Sequence, residues 1–400
     1  MPEPFPNEAA QRRPEPGARA GVPLLRLGFR PFYLLASVFA AVSVALWSAQ
    51  YAGGMRAAYL AGPLWHAHEM LFGFTMAVVA GFLFTAVRNW TGRPTPTGAM
   101  LALIVLLWVA GRVLVSTPLG WASAVVNAAF PVAVAVGIGV PIIRAANRRN
   151  YFFIALLIAL AVAVLMVHLS QLGVLDLPGW LGIQIALDVV LFVMTVMGGR
   201  VIPMFTNNAV PGVGARRLPQ LERLVLGATL AVLAADALQA SGALLLIVLV
   251  LACAAHATRL LLWMPWRTAR VPLVWILHAA YAWIPLHLAL RLLAEADWVP
   301  VPLATHALTV GAIGGLTLGM MTRTARGHTG RALHADHFEI ASYVLVQAAA
   351  VVRVFGPLIL PAQYVATVVA AGALWSSAFA LYAARYWPVL ARPRVDGKPG

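Results

Sequence analysis

Charge and sulfur are what this chain has least of. Of 400 residues only 13 are acidic and 28 basic, and a single cysteine, Cys253, carries all its thiol chemistry. One cysteine excludes an intramolecular disulfide and any iron–sulfur or zinc site built on several thiolates. So few carboxylates argue against the oxygen cages that hold calcium or magnesium. No connection between apolar stretches is long enough to fold by itself, and no internal repeat is evident. The N-terminal region, rich in Pro, Arg and Glu, lacks the short apolar core and small-residue cleavage site of a signal peptide and reads as a disordered tail.

Hydrocarbon is abundant. The chain is 62% hydrophobic with a mean hydropathy of +0.85, which places it among all-α, polytopic membrane proteins. About 20 apolar residues in a helix cross about 30 Å of lipid. Twelve stretches approach that length: 32–50, 65–87, 98–116, 121–143, 151–173, 179–203, 221–240, 242–263, 272–293, 302–322, 337–355 and 361–385. The expected organisation is a tail over 1–27, a single twelve-helix domain over 28–386 and a second tail over 387–400.

A net charge of +15 would suggest nucleic acid in a soluble protein, but the positions of the cations explain it otherwise. Every second connection is basic. Arg12, Arg13, Arg19, Arg26 and Arg30 precede the first span, and Arg385, Arg392, Arg394 and Lys398 follow the last. In all, 24 of the 28 basic residues share one side; only Arg56, Arg112, Arg291 and Arg353 lie at or near the other. Basic loops stay in the cytoplasm, so both termini are expected there.

With that topology the histidines acquire depths. His66 and His68, in the run WHAHEM, open the second span from the outer side, and His306 lies in the first turn of the tenth. His168 and His287 come late in the fifth and ninth spans, near ~25 Å of rise from the inner face. Five imidazoles from four helices therefore share the outer half of the membrane, an expected metal site. His66 and His68, about 200° apart around a helix, serve two centres unless the helix begins irregularly. Glu69 is placed to accept a ring N–H from His66 and fix its tautomer. His256 and His278, toward the inner half, are either a second ligand set or hydrogen-bonded packing residues. His328, His334 and His337 belong to a basic cytoplasmic connection.

Imidazoles without thiolates, and with few carboxylates, suit haem iron or copper. Gly311, Gly314, Gly315 and Gly319 in the tenth span, and Gly73 and Gly81 in the second, offer either close walls for a flat cofactor or ordinary helix seams. Asp188 and Asp236, buried in spans, either pair with the histidines, carry protons to them or bond to a neighbouring helix. Asn127 and Gln184 are candidates for the same polar core.

The runs WHAHEMLFGF, GFLFTAVRNWTG, GGRVIPMFTNN and HALTVGAIGGLTLGMMTRTARGHTGR together resemble the NnrS proteins, and the similarity extends from LGFRPF near the start to the last helix. The resemblance implies a twelve-helix protein of the bacterial inner membrane that carries haem and copper and acts in nitric oxide metabolism and resistance to nitrosative stress. Family positions fall here on His66, His68 and Glu69; on Arg88, Asn89, Trp90 and Gly92; on Arg200, Pro203 and Asn207; and on His306, Gly311, Arg323, Gly327, His328 and Arg331. The arginines among them lie on the cytoplasmic side, where setting topology is a sufficient role. Twelve spans also describe the main subunit of haem–copper oxidases, but the adjacent His-His pair of that family is missing here. Three functions stay open: redox chemistry or binding of nitric oxide at haem and copper, transport of a metal or haem, and assembly or sensing without turnover. No electron donor is indicated.

Overall fold

The computed structural model describes residues 22–53, 59–60 and 62–397. Arg12, Arg13, Arg19, Arg56, Lys398 and most of the expected N-terminal tail lie outside the described residues. Twelve long helices follow one another: α1 (Phe29–Tyr51), α2 (Gly62–Thr91), α3 (Gly98–Val115), α4 (Gly120–Arg144), α5 (Phe152–Gln171), α6 (Gly179–Ala209), α7 (Pro219–Ala237), α8 (Ala243–Leu262), α9 (Pro272–Glu295), α10 (Val301–His328), α11 (His337–Ile359) and α12 (Tyr364–Ala391). The described residues contain no strand.

Eleven of these segments are long and apolar enough to cross a bilayer. The remaining one, α7, carries Glu222, Arg223 and Asp236 within its 19 residues. It can lie in the bundle because Arg259 of α8 and Arg291 of α9 take up its two carboxylates, while Arg223, in its first two turns, is exposed at the basic end. The expected span 179–203 runs on to Ala209, so Pro203 lies inside a helix. Neighbouring helices in a membrane tolerate such a proline because other groups satisfy the freed carbonyl.

Consecutive helices pack side by side, and α12 closes the ring by packing along α1. Within that ring α2 is the most enclosed, with 78% of its most apolar window buried, and α6, α9 and α10 follow at 67%, 67% and 61%. α3, at 28%, turns Leu103, Leu106 and Val113 outward. Such a face suits hydrocarbon, where apolar exposure carries no cost. Arg30 at the start of α1 donates to the Leu390 carbonyl near the end of α12, and the His328 ring, closing α10, lies 5.7 Å from the Phe29 ring. These contacts mark the end of the bundle that holds the described termini. His66 and His306, at the starts of α2 and α10, are at the other end.

Candidate functional site

Two helices change their winding where they carry their histidines. α2 is α-helical through His68 and π-helical over Glu69–Thr75; α10 is α-helical through His306 and π-helical over Ala307–Gly314. A π turn inserts a residue into the helix, frees carbonyls and re-aims the side chains beside it. In α2 the Thr75 hydroxyl donates to the Met70 carbonyl five residues back, and the Trp108 indole N–H donates to the Gly73 carbonyl at 3.0 Å. Gly73 is required there, since a Cβ would stand 2.7 Å from the Arg112 guanidinium.

The α-helical start of α2 does place His66 and His68 on different faces, and each meets a histidine from another helix. His66 and His306 have parallel rings, 9° between planes and 6.4 Å between centroids. Trp47 of α1 stacks on His66 at 4.9 Å. His306 Nδ1 donates to the Pro302 carbonyl at 2.6 Å, which leaves its Nε2 as the free nitrogen; Nδ1 of His66 is buried with no partner. Both rings line a cavity of about 810 Å³ whose walls are mainly apolar, Phe74 and Trp375 among them.

On the other face His68 Nε2 lies 3.1 Å from His168 Nε2. Here the partners dictate the tautomers. His68 Nδ1–H donates to Glu69 Oε1 at 2.8 Å, so its Nε2 accepts from His168 Nε2–H, and His168 Nδ1 accepts from the Tyr59 hydroxyl at 3.4 Å. The chain continues through Arg112, which donates to Glu69 at 2.5 Å and to Asn127 Oδ1, and Asn127 donates in turn to the Ser123 carbonyl at 2.9 Å. Glu69 therefore serves His68 and not His66, a correction to the expectation. It is the first residue of the π segment and is drawn toward Arg112 on α3.

The five imidazoles thus form two pairs and a single residue instead of one cluster. His287 donates from Nδ1 to the Ala304 carbonyl at 2.7 Å, and its Nε2 is buried without a partner beside a cavity of about 140 Å³. Asp236 and Arg291 line that small cavity and the large one alike, joined by two bonds of 2.6 Å. Gln184 links Asp236 to Asp188, at 3.2 and 3.3 Å. Asp188 and Asp236 therefore touch Gln184 and Arg291, and not the paired histidines. Among the inner histidines His256 is saturated, bonded to Thr229 and Tyr281, while His278 bonds Thr206 through Nε2.

The family-motif residues at the far end hold structure. Arg200 donates to Asn150, Asn207 pins the backbone of Ala215 from both sides, and Arg323 lies over the Phe205 ring at 3.8 Å. Arg88, Asn89, His334 and His337 are exposed. The glycines seat protein side chains: Trp283 against Gly311, Trp375 against Gly314, Ala280 against Gly315, and Phe32 against Gly81. Sequence reading passed over Arg112, Arg291 and Arg353 as site residues. Their signal was nonetheless present, since they are exceptions to the basic-side pattern, and Arg112 and Arg291 are bonded to polar side chains while Arg353 lines the large cavity.

A group of three or more His, Cys, Asp or Glu side chains able to hold a metal ion is absent among the described residues. A pair is nevertheless sufficient for haem iron, because the macrocycle supplies four nitrogens itself. His66 and His306, 6.4 Å between ring centroids on one cavity and with Nδ1 of His66 and Nε2 of His306 free, would hold such a group. Nitrogens bound to one ion at a tetrahedral angle stand about 3.3 Å apart, close to the 3.1 Å between His68 and His168. The donor set therefore fits both implied groups, haem at the pair with a cavity and a small ion of low coordination number at the enclosed pair.

The chain matches the family model described as NnrS protein over residues 23–394, and it belongs to that family. No curated protein matches it.

Proposed function

Starting from membership of the NnrS family, we propose that this protein holds haem between His66 and His306, holds copper at His68 and His168, and handles nitric oxide at that end of the bundle, the outer one by the positive-inside rule. The parallel His66–His306 pair on an apolar cavity of about 810 Å³ carries the proposal. When bound, haem and copper supply one-electron redox chemistry and an affinity for diatomic gases. Nitric oxide is small and apolar, so it partitions into the bilayer and into a cavity with such walls.

The chain's own residues prepare both places. Trp47 holds the plane of His66, and the Pro302 carbonyl fixes the tautomer of His306 with Nε2 free. Glu69, held by Arg112, orients His68 and raises the basicity of its other nitrogen, the usual effect of a carboxylate behind a ligating imidazole. For His168 to bind a cation through Nε2, its proton moves to Nδ1, where the Tyr59 oxygen can accept it. Asp236, on the cavity wall, is held by Arg291 and Gln184, and Asp188 stands behind Gln184, so this polar group braces the wall of the cavity.

Purified protein from haem- and copper-replete cells tests the assignment by optical spectrum and metal analysis. His66→Ala and His306→Ala should lose haem and keep copper; His68→Ala and His168→Ala should do the reverse. Full retention of both by all four variants would overturn the proposal. A wild-type protein with neither group would overturn it as well and point to transport through the cavity. Consumption of nitric oxide by the reduced protein separates an enzyme from a sensor, which binds without depletion.

A further inference from the structure

Arg353 of α11 lines the large cavity. Its Nη1 is buried and has no hydrogen-bond partner, and no carboxylate pairs with it among the described residues. Its neighbours are aromatic, with Tyr364 5.9 Å from ring centroid to guanidinium carbon and Tyr51 6.3 Å beyond Tyr364 between rings. It lines the same cavity as His66 and His306. The other two described arginines of this end are each neutralised, Arg112 by Glu69 and Arg291 by Asp236. A guanidinium with an unbonded buried N–H is costly to keep in a membrane unless an anion meets it.

We propose that Arg353 anchors a carboxylate of the cofactor seated between His66 and His306. The inference rests on the haem reading above, since haem carries two propionate carboxylates on its edge. A guanidinium presents its N–H groups in a planar fork that matches a carboxylate, and it stays charged where an ammonium would not. The position also suits the depth of the histidine pair. Arg88 and Arg200 lie at the opposite end of the bundle from the histidine pair, whereas Arg353 shares its cavity. Tyr364, whose hydroxyl bonds the guanidinium and whose ring lies beside it, holds it without neutralising it, so Nη1 and the charge are left for the cofactor.

The test compares haem with haem dimethyl ester, which has the same macrocycle and iron but no free carboxylate. Full-length protein purified without haem is titrated with each and followed at the Soret band. Wild type should bind haem about tenfold or more tightly than the ester, the size of one charge-assisted hydrogen bond. Arg353→Gln should bind the two alike, and Arg353→Lys should keep a preference reduced severalfold. Should the Gln variant lose its helical circular dichroism, the Lys variant decides, and an undiminished preference there overturns the inference. The same preference in wild type and Arg353→Gln, with haem still bound by both, overturns the role of Arg353 and leaves the haem reading intact. Failure of wild type to bind haem overturns both. A free small oxyanion is the rival source of the same chemistry. If nitrite quenches the cavity tryptophans in wild type but not in Arg353→Gln, while haem and its ester bind wild type equally, the site takes that anion and the cofactor anchor is refuted.

Discussion

Arg112 shows what a single side chain does in this bundle. Its guanidinium meets Glu69 and Asn127, with side-chain exposures of 9% for the arginine and 2% for the glutamate. Removing one partner of a buried pair strands a charge in low dielectric and costs about 3–5 kcal/mol, whereas replacing both by neutral groups of similar shape costs much less. Arg112→Ala should therefore lower thermal stability in detergent by an amount of that order and weaken copper binding, since nothing then fixes the Glu69 carboxylate behind His68. The double change Arg112→Met with Glu69→Gln should recover most of the stability but not the copper. Equal melting temperatures for wild type and Arg112→Ala would show that the pair contributes nothing.

Among the helices, α2 and α10 bring the imidazoles to their partners through π turns placed directly after His68 and His306. Deleting Met70 removes the extra residue and should let α2 wind as a regular α-helix. The segments on either side keep nearly their relative azimuth, because a π turn takes up its extra residue locally, but the side chains inside the segment are re-aimed, Glu69 first among them. We expect the variant to insert normally and to bind copper more weakly, because Glu69 no longer stands between His68 and Arg112; unchanged copper content would show that the π turn does not position Glu69. At the other end, α11 begins with a capping box, in which Asp336 accepts from the N–H groups of Phe338 and Glu339 and Glu339 accepts from the Asp336 N–H. Partial burial raises the Asp336 pKa, but the Arg385 bond and charge and the two N–H groups outweigh it, holding it down to about 2. A lowered pKa gives stability that is present above the ordinary carboxylate range and disappears as pH falls toward 2. Asp336→Ala should therefore speed amide exchange in the first turn of α11 at neutral pH, by the roughly 1 kcal/mol of a lost cap, and make no difference near pH 2.

For the whole molecule the testable statement is orientation. The basic-side pattern of the sequence implies that a reporter after the last residue reads as cytoplasmic and one in the short connection at 116–119 as external. A cytoplasmic signal from the second fusion would invert the bundle, and the His66–His306 pair would then face the cell interior. Closure of the ring by α12 along α1 makes the ends of the chain part of one body, as the Arg30 bonds to the Leu390 and Arg392 carbonyls show. Truncation before α12 should therefore unfold α1 as well, detectable as loss of protease resistance in both.

Composition and the period of hydrophobicity determined the class and most helix boundaries, because a segment in lipid has to satisfy its own backbone and expose hydrocarbon wherever it goes. α7 was legible as a helix from its apolar residues, although its compensating arginines, Arg259 and Arg291, come from other parts of the chain. The depth of His66, His68, His168 and His306 was also readable, since alternation of direction and 1.5 Å of rise set it. Which histidine meets which was not. That depends on the azimuth of each helix about its own axis, and two π turns re-aim side chains in α2 and α10 without a signal that the one-dimensional pattern carries. For the same reason the glycines of α10 could be read as seam or cofactor wall until the indoles of Trp283 and Trp375 were seen to fill the space. Length and polarity act locally along a chain, whereas pairing requires two rotations and a crossing to agree, and only the packed bundle decides those.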